Sequence, residues 1–240
     1  MIVEYLLGEF LGSLFLILFG GGVVANVVLS KSKGNNGGWI TITAGWAFAV
    51  MIGVFVATSS GSPQADINPA VTLAKYFLGV YDSLYYVITA SLAQIAGCFV
   101  GASLVWLTYL PHWKETEDKE AKLAVFCTSP AIAHSPSNLI TEIIGTVALI
   151  FGIGAIVSSG DIAAAAVPYL VAMLVWGIGL SLGGPTGYAI NPARDLGPRI
   201  AHAILPIANK GTSQWHYAWV PIIGPLLGAI LAATLWNNLL

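Results

Sequence analysis

The stretch AINPARDLGPR, residues 189–199, decides how this chain is read. It gathers Arg194, Asp195 and Arg199 into a sequence that is only 8% charged, and its Asn-Pro-Ala core occurs once more, upstream, in DINPAVTLA at 66–74. Asparagine is a favoured helix N-cap because its side-chain oxygen accepts from an orphan backbone N–H. Proline suits the first helical position, where its missing N–H costs nothing. A helix is therefore expected to start at Asn68, Pro69 and Ala70 and another at Asn191, Pro192 and Ala193. The helical stretches that follow, Pro69 to Gly79 and Pro192 to Ala203, would be about 17 Å long, roughly half of a ~30 Å hydrocarbon core.

That comparison matters because the rest of the chain is made for lipid. Its 240 residues are 57% hydrophobic with a mean hydropathy of +0.81, more apolar surface than one soluble core can bury. Six uninterrupted apolar stretches approach the ~20 residues of a bilayer span, at roughly 5–29, 39–60, 84–110, 138–158, 163–183 and 216–239. Six spans put both termini on one side of the membrane. The start MIVEYLLGEF has no basic residue before its apolar run and no small-residue cleavage site after it, so span one is expected to be retained. The chain reads as one transmembrane domain, 1–240, of the all-α class.

Other chemistries lack their residues. Cys98 and Cys127 have neither the number nor the spacing of a metal site or a disulfide framework. The four histidines, His112, His134, His202 and His216, form no ligand pair, and no phosphate-binding glycine loop or Ser/His/Asp grouping occurs. No enzyme, cofactor, metal or nucleic-acid role is expected. The longest polar connection, Pro111 to Ser137, mixes charges of both signs and reads as a solvated connector.

The chain also repeats itself. GEFLGSLFLILFGGG from Gly8 and TEIIGTVALIFGIGA from Thr141 each carry an intramembrane Glu, a Gly three residues on, then Ser or Thr and an apolar run, so Glu9 pairs with Glu142. QIAGCFVGASL at 94–104 matches PIIGPLLGAIL at 221–231, aligning Gly97 with Gly224 and Gly101 with Gly228. The repeats cover about 1–110 and 138–240 and are joined by 111–137. Three spans are an odd number, so the second copy enters the membrane with opposite orientation. The two short helices would then meet N-terminus to N-terminus at the midplane, bringing Asn68 and Asn191 together. The helix-poor stretches before them, 61–67 and 183–190, must line a wet cavity, because their carbonyls would be costly in lipid.

Two Asn-Pro-Ala motifs in an inverted repeat of six spans, with Glu in spans one and four and NPAR in the second copy, resemble the aquaporin superfamily over essentially the whole chain. The resemblance implies six transmembrane helices plus two re-entrant half-helices, a homotetramer with one pore per subunit, and termini in the cytoplasm. NPARD, with Asp195, is similar to the glycerol facilitators. The family's narrowest ring, carried over position by position, falls on Trp46, Gly179, Tyr188 and Arg194. In it Gly179 would leave width, the two aromatics would make an apolar wedge, and Arg194 would supply fixed donors beside the amides of Asn68 and Asn191. SSGSPQADINPA at 59–70 is about two residues longer than the family's usual approach to the first motif, with Asp66 where histidine is common. Placing the extra residues after span two assigns the first aromatic to Trp46; otherwise Phe48 takes that position.

Several residues carry plainer readings. Glu9 and Glu142 are expected to hold the N–H groups of the unwound segments, although intramembrane carboxylates can also carry protons. Asp195, in the first turn of its half-helix and four residues before Arg199, suits the helix dipole and an i,i+4 pair. The paired glycines suit close helix packing, and Trp39, Trp106, Trp113, Trp215 and Trp219 suit interfacial anchoring. One count opposes the family's orientation. Lys31, Lys33, Lys114, Lys119, Lys122, Arg194, Arg199 and Lys210 lie on the side of the first, third and fifth connections, against Lys75 alone opposite. The resulting expectation is a passive channel for glycerol and similar small neutral solutes, with some water, in a bacterial cell membrane. The alternatives are a mainly water-conducting channel and a proton-coupled transporter using Glu9, Glu142 or Asp66.

Overall fold

A computed structural model describes residues 2–160 and 162–239. Six long apolar helices, α1 (Ile2–Val28), α2 (Gly38–Ser59), α4 (Leu84–Thr108), α7 (Ser135–Ser158), α8 (Val167–Leu182, preceded by a short 3₁₀ turn) and α10 (Val220–Leu239), supply the spans. Between them lie two short helices at the Asn-Pro-Ala motifs, α3 (Pro69–Phe77) and α9 (Pro192–Ile204). The long connection contributes α5 (His112–Glu115) and α6 (Lys119–Ala124).

The caps explain where the short helices begin and end. Asn68 Oδ1 accepts from the Ala70 N–H at 2.9 Å, and Asn191 Oδ1 accepts from those of Ala193 and Arg194 at 3.0 and 3.2 Å. Helix α3 stops two residues before the expected Gly79, because Gly79 adopts φ +76° and closes the end. Its N–H bonds the Tyr76 carbonyl while Val80 N–H reaches that of Lys75. Helix α9 runs one residue past Ala203, its last carbonyls held by Lys210 Nζ, which donates to His202, Ala203 and Leu205 at 2.6, 2.8 and 2.7 Å. Burial holds the Lys210 ammonium below the usual lysine range. Helix α10 starts at Val220 rather than 216, after turns through Gln214 and Tyr217.

The two halves are interlocked rather than merely adjacent. Helix α1 packs on α2 and α4, and α7 on α8 and α10, but α3 packs on α10 of the other half and α9 on α4. Helices α2 and α8 meet across the pseudo-twofold. A Cβ at Gly228 would lie 2.7 Å from the Ile143 carbonyl oxygen, and one at Gly97 would collide with the Phe10 carbonyl, so these glycines set the approach of α10 to α7 and of α4 to α1.

The connection 111–137 is only in part the solvated connector its charges suggest: 117–120 and 131–137 are exposed, but its middle is not. Trp113, Leu123, Phe126 and Cys127 are buried in the common core. Trp113 is not an interfacial anchor: it is 1% exposed, and its Nε1 donates to the Trp106 carbonyl at 2.9 Å. Lys122, buried, donates to the Ala208 carbonyl at 2.5 Å. The apolar residues in this stretch follow no helical period long enough to be legible. They become core because the segment folds back over α9.

Candidate solute pathway

Two unwound segments carry the site, and each is built the same way. Ala65 and Ile67 take φ +44° and +45°, and Tyr188 and Ile190 take +38° and +42°, at three and one residues before each asparagine. Left-handed backbone is costly for residues with a Cβ, especially β-branched ones, so it persists only where neighbours hold it. The two intramembrane carboxyls do so. Glu9 accepts from the N–H groups of Asp66 and Ile67 at 2.9 and 2.7 Å, from Ser62 Oγ at 2.5 Å and from Gln94 Nε2 at 2.6 Å. Glu142 accepts from Ala189 and Ile190 N–H at 3.0 and 2.8 Å and from Thr186 Oγ1 at 2.7 Å.

The asparagines then tie one half to the other. Asn68 Nδ2 donates to the Ile190 carbonyl and Asn191 Nδ2 to that of Ile67, both at 2.8 Å. Each amide nitrogen has a second hydrogen, and both side chains line a cavity of about 540 Å³. Its apolar wall includes Leu16, Trp46, Val50, Val54, Leu149 and Val175, and its polar wall the two asparagines, Arg194 and the unwound segments.

Of the four ring positions, all but Gly179 line this cavity, and Gly179 stands directly behind Tyr188. The Arg194 Cζ lies 4.2 Å from the Trp46 ring centroid, a cation–π contact, and no acceptor among the described residues takes its guanidinium donors. Phe48, the other candidate for the aromatic position, is 50% exposed. Gly179 does not simply leave an open gap: a Cβ there would sit 2.8 Å from Tyr188 Cζ, so the phenol occupies the space its missing side chain provides.

Two charged clusters brace the half-helices. Asp195 pairs with Arg199 Nε at 2.7 Å, but it also accepts from Thr128 N–H at 2.8 Å and Oγ1 at 2.7 Å, while Arg199 donates to the Thr128 and Ser213 carbonyls. The i,i+4 pair is thus part of a clasp that includes the long connection. Asp66, buried, pairs with Lys75 Nζ at 2.5 Å and accepts from Tyr81 OH at 2.7 Å, with Lys75 also donating to Gln64. Residue-by-residue reading of the motifs missed Ser62, Thr186, Gln94 and Thr128. A hydroxyl residue six positions before Asn68 and five before Asn191, and a glutamine inside an apolar span, were the available signals for the first three.

A water-accessible cavity bounded by two half-helices and polar backbone, inside six apolar spans, defines an inverted-repeat transmembrane channel. The Major intrinsic protein profile matches residues 2–236, and the chain belongs to that family. It is 59% identical over 232 residues to the probable glycerol uptake facilitator protein of Thermotoga maritima, covering 96% of this chain and 97% of the relative. It is 56% identical over 234 residues to glycerol uptake facilitator protein 3 of Lactiplantibacillus plantarum, covering 98% and 96%. The X-ray structure of the aquaglyceroporin from Plasmodium falciparum superposes with a TM-score of 0.86 at 26% identity, covering 100% of this chain and 97% of that one.

Proposed function

We propose that this protein is a passive facilitator of glycerol and similar small neutral solutes, with water as a secondary permeant. The observation that carries this reading is the two-sided lining: Trp46, Val50 and Val54 face a carbon backbone, while the unpaired donors of Arg194 and the amides of Asn68 and Asn191 face hydroxyls. A polyol hydroxyl that lost water without a partner would cost about 1–3 kcal/mol, so continuous donors and acceptors along one wall are what such a solute needs. Pro69, Ala70, Pro192 and Ala193 serve by starting the half-helices, and Glu9, Glu142 and Asp195 by bracing them. Both oxygens of each intramembrane carboxyl accept hydrogen bonds, which favours a bracing role over proton carriage. Relatives that are bacterial glycerol uptake facilitators support a bacterial cell membrane as its place, and the family resemblance suggests a homotetramer with one pore per subunit.

The orientation with termini in the cytoplasm follows the family resemblance, although the count of basic residues opposes it. Lys122, Arg199 and Lys210 are bonded to internal carbonyls, Arg194 faces the cavity, and Lys31 pairs with Glu115. Fewer basic side chains therefore stand free on that face than the sequence count implies.

In proteoliposomes followed by stopped-flow light scattering, glycerol flux is expected to follow its own gradient and to ignore an imposed proton gradient. Uphill accumulation driven by protons would overturn the proposal. A second expectation concerns width. Gly179→His places an imidazole where the Tyr188 phenol now lies, forcing one of the rings into the passage. Glycerol permeability should fall roughly tenfold or more, an added barrier of at least ~1.4 kcal/mol, with a smaller loss for water. Equal proportional losses would remove Gly179 from the size filter.

A further inference from the structure

Tyr188 is a ring residue whose side chain has no hydrogen-bond anchor among the described residues. Its hydroxyl is buried, and its backbone is left-handed at φ +38°. What holds the phenol is packing: Gly179 on one side, and Trp39 on another, edge-on with ring centroids 5.8 Å apart at 84°. Trp39 comes from the first turn of α2, and its Nε1 donates at 3.0 Å to the carbonyl of Gly179, one of the last carbonyls of α8 and so lacking a partner in its own helix. Gly183 completes the seat, since a Cβ there would fall 2.5 Å from Tyr188 Cδ1 and 2.9 Å from Trp39 Cζ2. One indole thus bonds the helix that backs Tyr188 and packs on Tyr188 itself, whereas an interfacial anchor would need neither contact.

We propose that Trp39 is a positioning residue for solute selection, acting through Tyr188: it determines how far the Tyr188 ring projects into the passage opposite Arg194. The proposal rests on the cavity being a glycerol pathway. Without the indole, the space behind Tyr188 opens, the phenol settles away from the passage, and wider solutes gain more than glycerol does.

The test compares glycerol with pentaerythritol, a neutral polyol made wider by its four hydroxymethyl arms, in proteoliposomes of the full chain matched for folded protein. The parent's glycerol flux over empty liposomes tests the pathway itself. Given that flux, Trp39→Ala is expected to raise the pentaerythritol-to-glycerol permeability ratio about threefold or more. Trp39→Phe, which keeps a ring but loses the N–H, should raise it less. In a Tyr188→Ala background, Trp39→Ala should change the ratio no further. The proposal is overturned if both Trp39 variants keep the parental ratio, including the case in which all fluxes fall together, or if the shift persists undiminished without Tyr188.

Discussion

Arg194→Val is expected to leave a folded pore that still passes glycerol but leaks protons and small cations far more than the parent. The two half-helices meet N-terminus to N-terminus, with Asn68 and Asn191 bonded across to the opposite segment. Each terminus carries about +0.5 charge, so at ~5 Å and an effective dielectric of ~20 each repels a cation by about 1.7 kcal/mol. Their sum, about 3 kcal/mol, excludes cations only a few hundredfold. Arg194 adds a full charge beside the same passage, worth about another 3 kcal/mol on the same terms. Removing it should therefore raise the leak by up to roughly two orders of magnitude. The matching residue of the first motif is Val71, so valine at 194 restores a side chain that the fold already accepts at the equivalent helix start. A pH-dye assay or planar-bilayer recording on the folded variant decides the matter. An unchanged leak would assign exclusion to the half-helices and to the cost of dehydration alone.

Glu142→Ala should be among the most destabilising single changes available to this chain. It strips three buried donors of their acceptor at once: Thr186 Oγ1 and the N–H groups of Ala189 and Ile190. Each orphaned donor costs about 1–3 kcal/mol. The left-handed turns at Tyr188 and Ile190, each holding about 1–3 kcal/mol of strain, lose the group that keeps them in place. A loss above about 4 kcal/mol is expected, beyond the usual range for point mutants. It would appear as a sharply lower melting midpoint in detergent and a poor yield of monodisperse protein. Glu142→Gln, which keeps one acceptor oxygen, should fall between, and wherever it folds it should still conduct glycerol. An alanine variant as stable as the parent would show that the unwound segment holds itself, and the role assigned to Glu142 would be wrong.

The segments whose structure depends on neighbours in sequence were legible from the residues. The six spans follow from apolar length, and each half-helix start follows from an Asn cap with Pro at the first position. The inverted repeat follows from matched landmarks at Glu9 and Glu142 and an odd number of spans. The end of α3 was two residues off because Gly79 acts as a stop just outside the helix, which composition alone does not separate from its last turn. Trp46, Gly179, Tyr188 and Arg194 could be named from motif spacing, but not their mutual arrangement: that Arg194 lies on the Trp46 face, or that the phenol of Tyr188 fills the space beside Gly179.

Hydropathy, capping and repetition act over a few residues at a time, and they set the solvent, the topology and the positions of the two helix starts. Tertiary structure alone decided that Trp113 and Lys122 are buried, that Thr128 clasps Asp195, that Trp39 stands behind Tyr188, and that two isoleucines adopt left-handed backbone. Each of these depends on segments tens of residues apart arriving at the same place. The free energy of a buried polar group or a strained turn depends on the partner it meets there, and no local pattern of residue types encodes that partner.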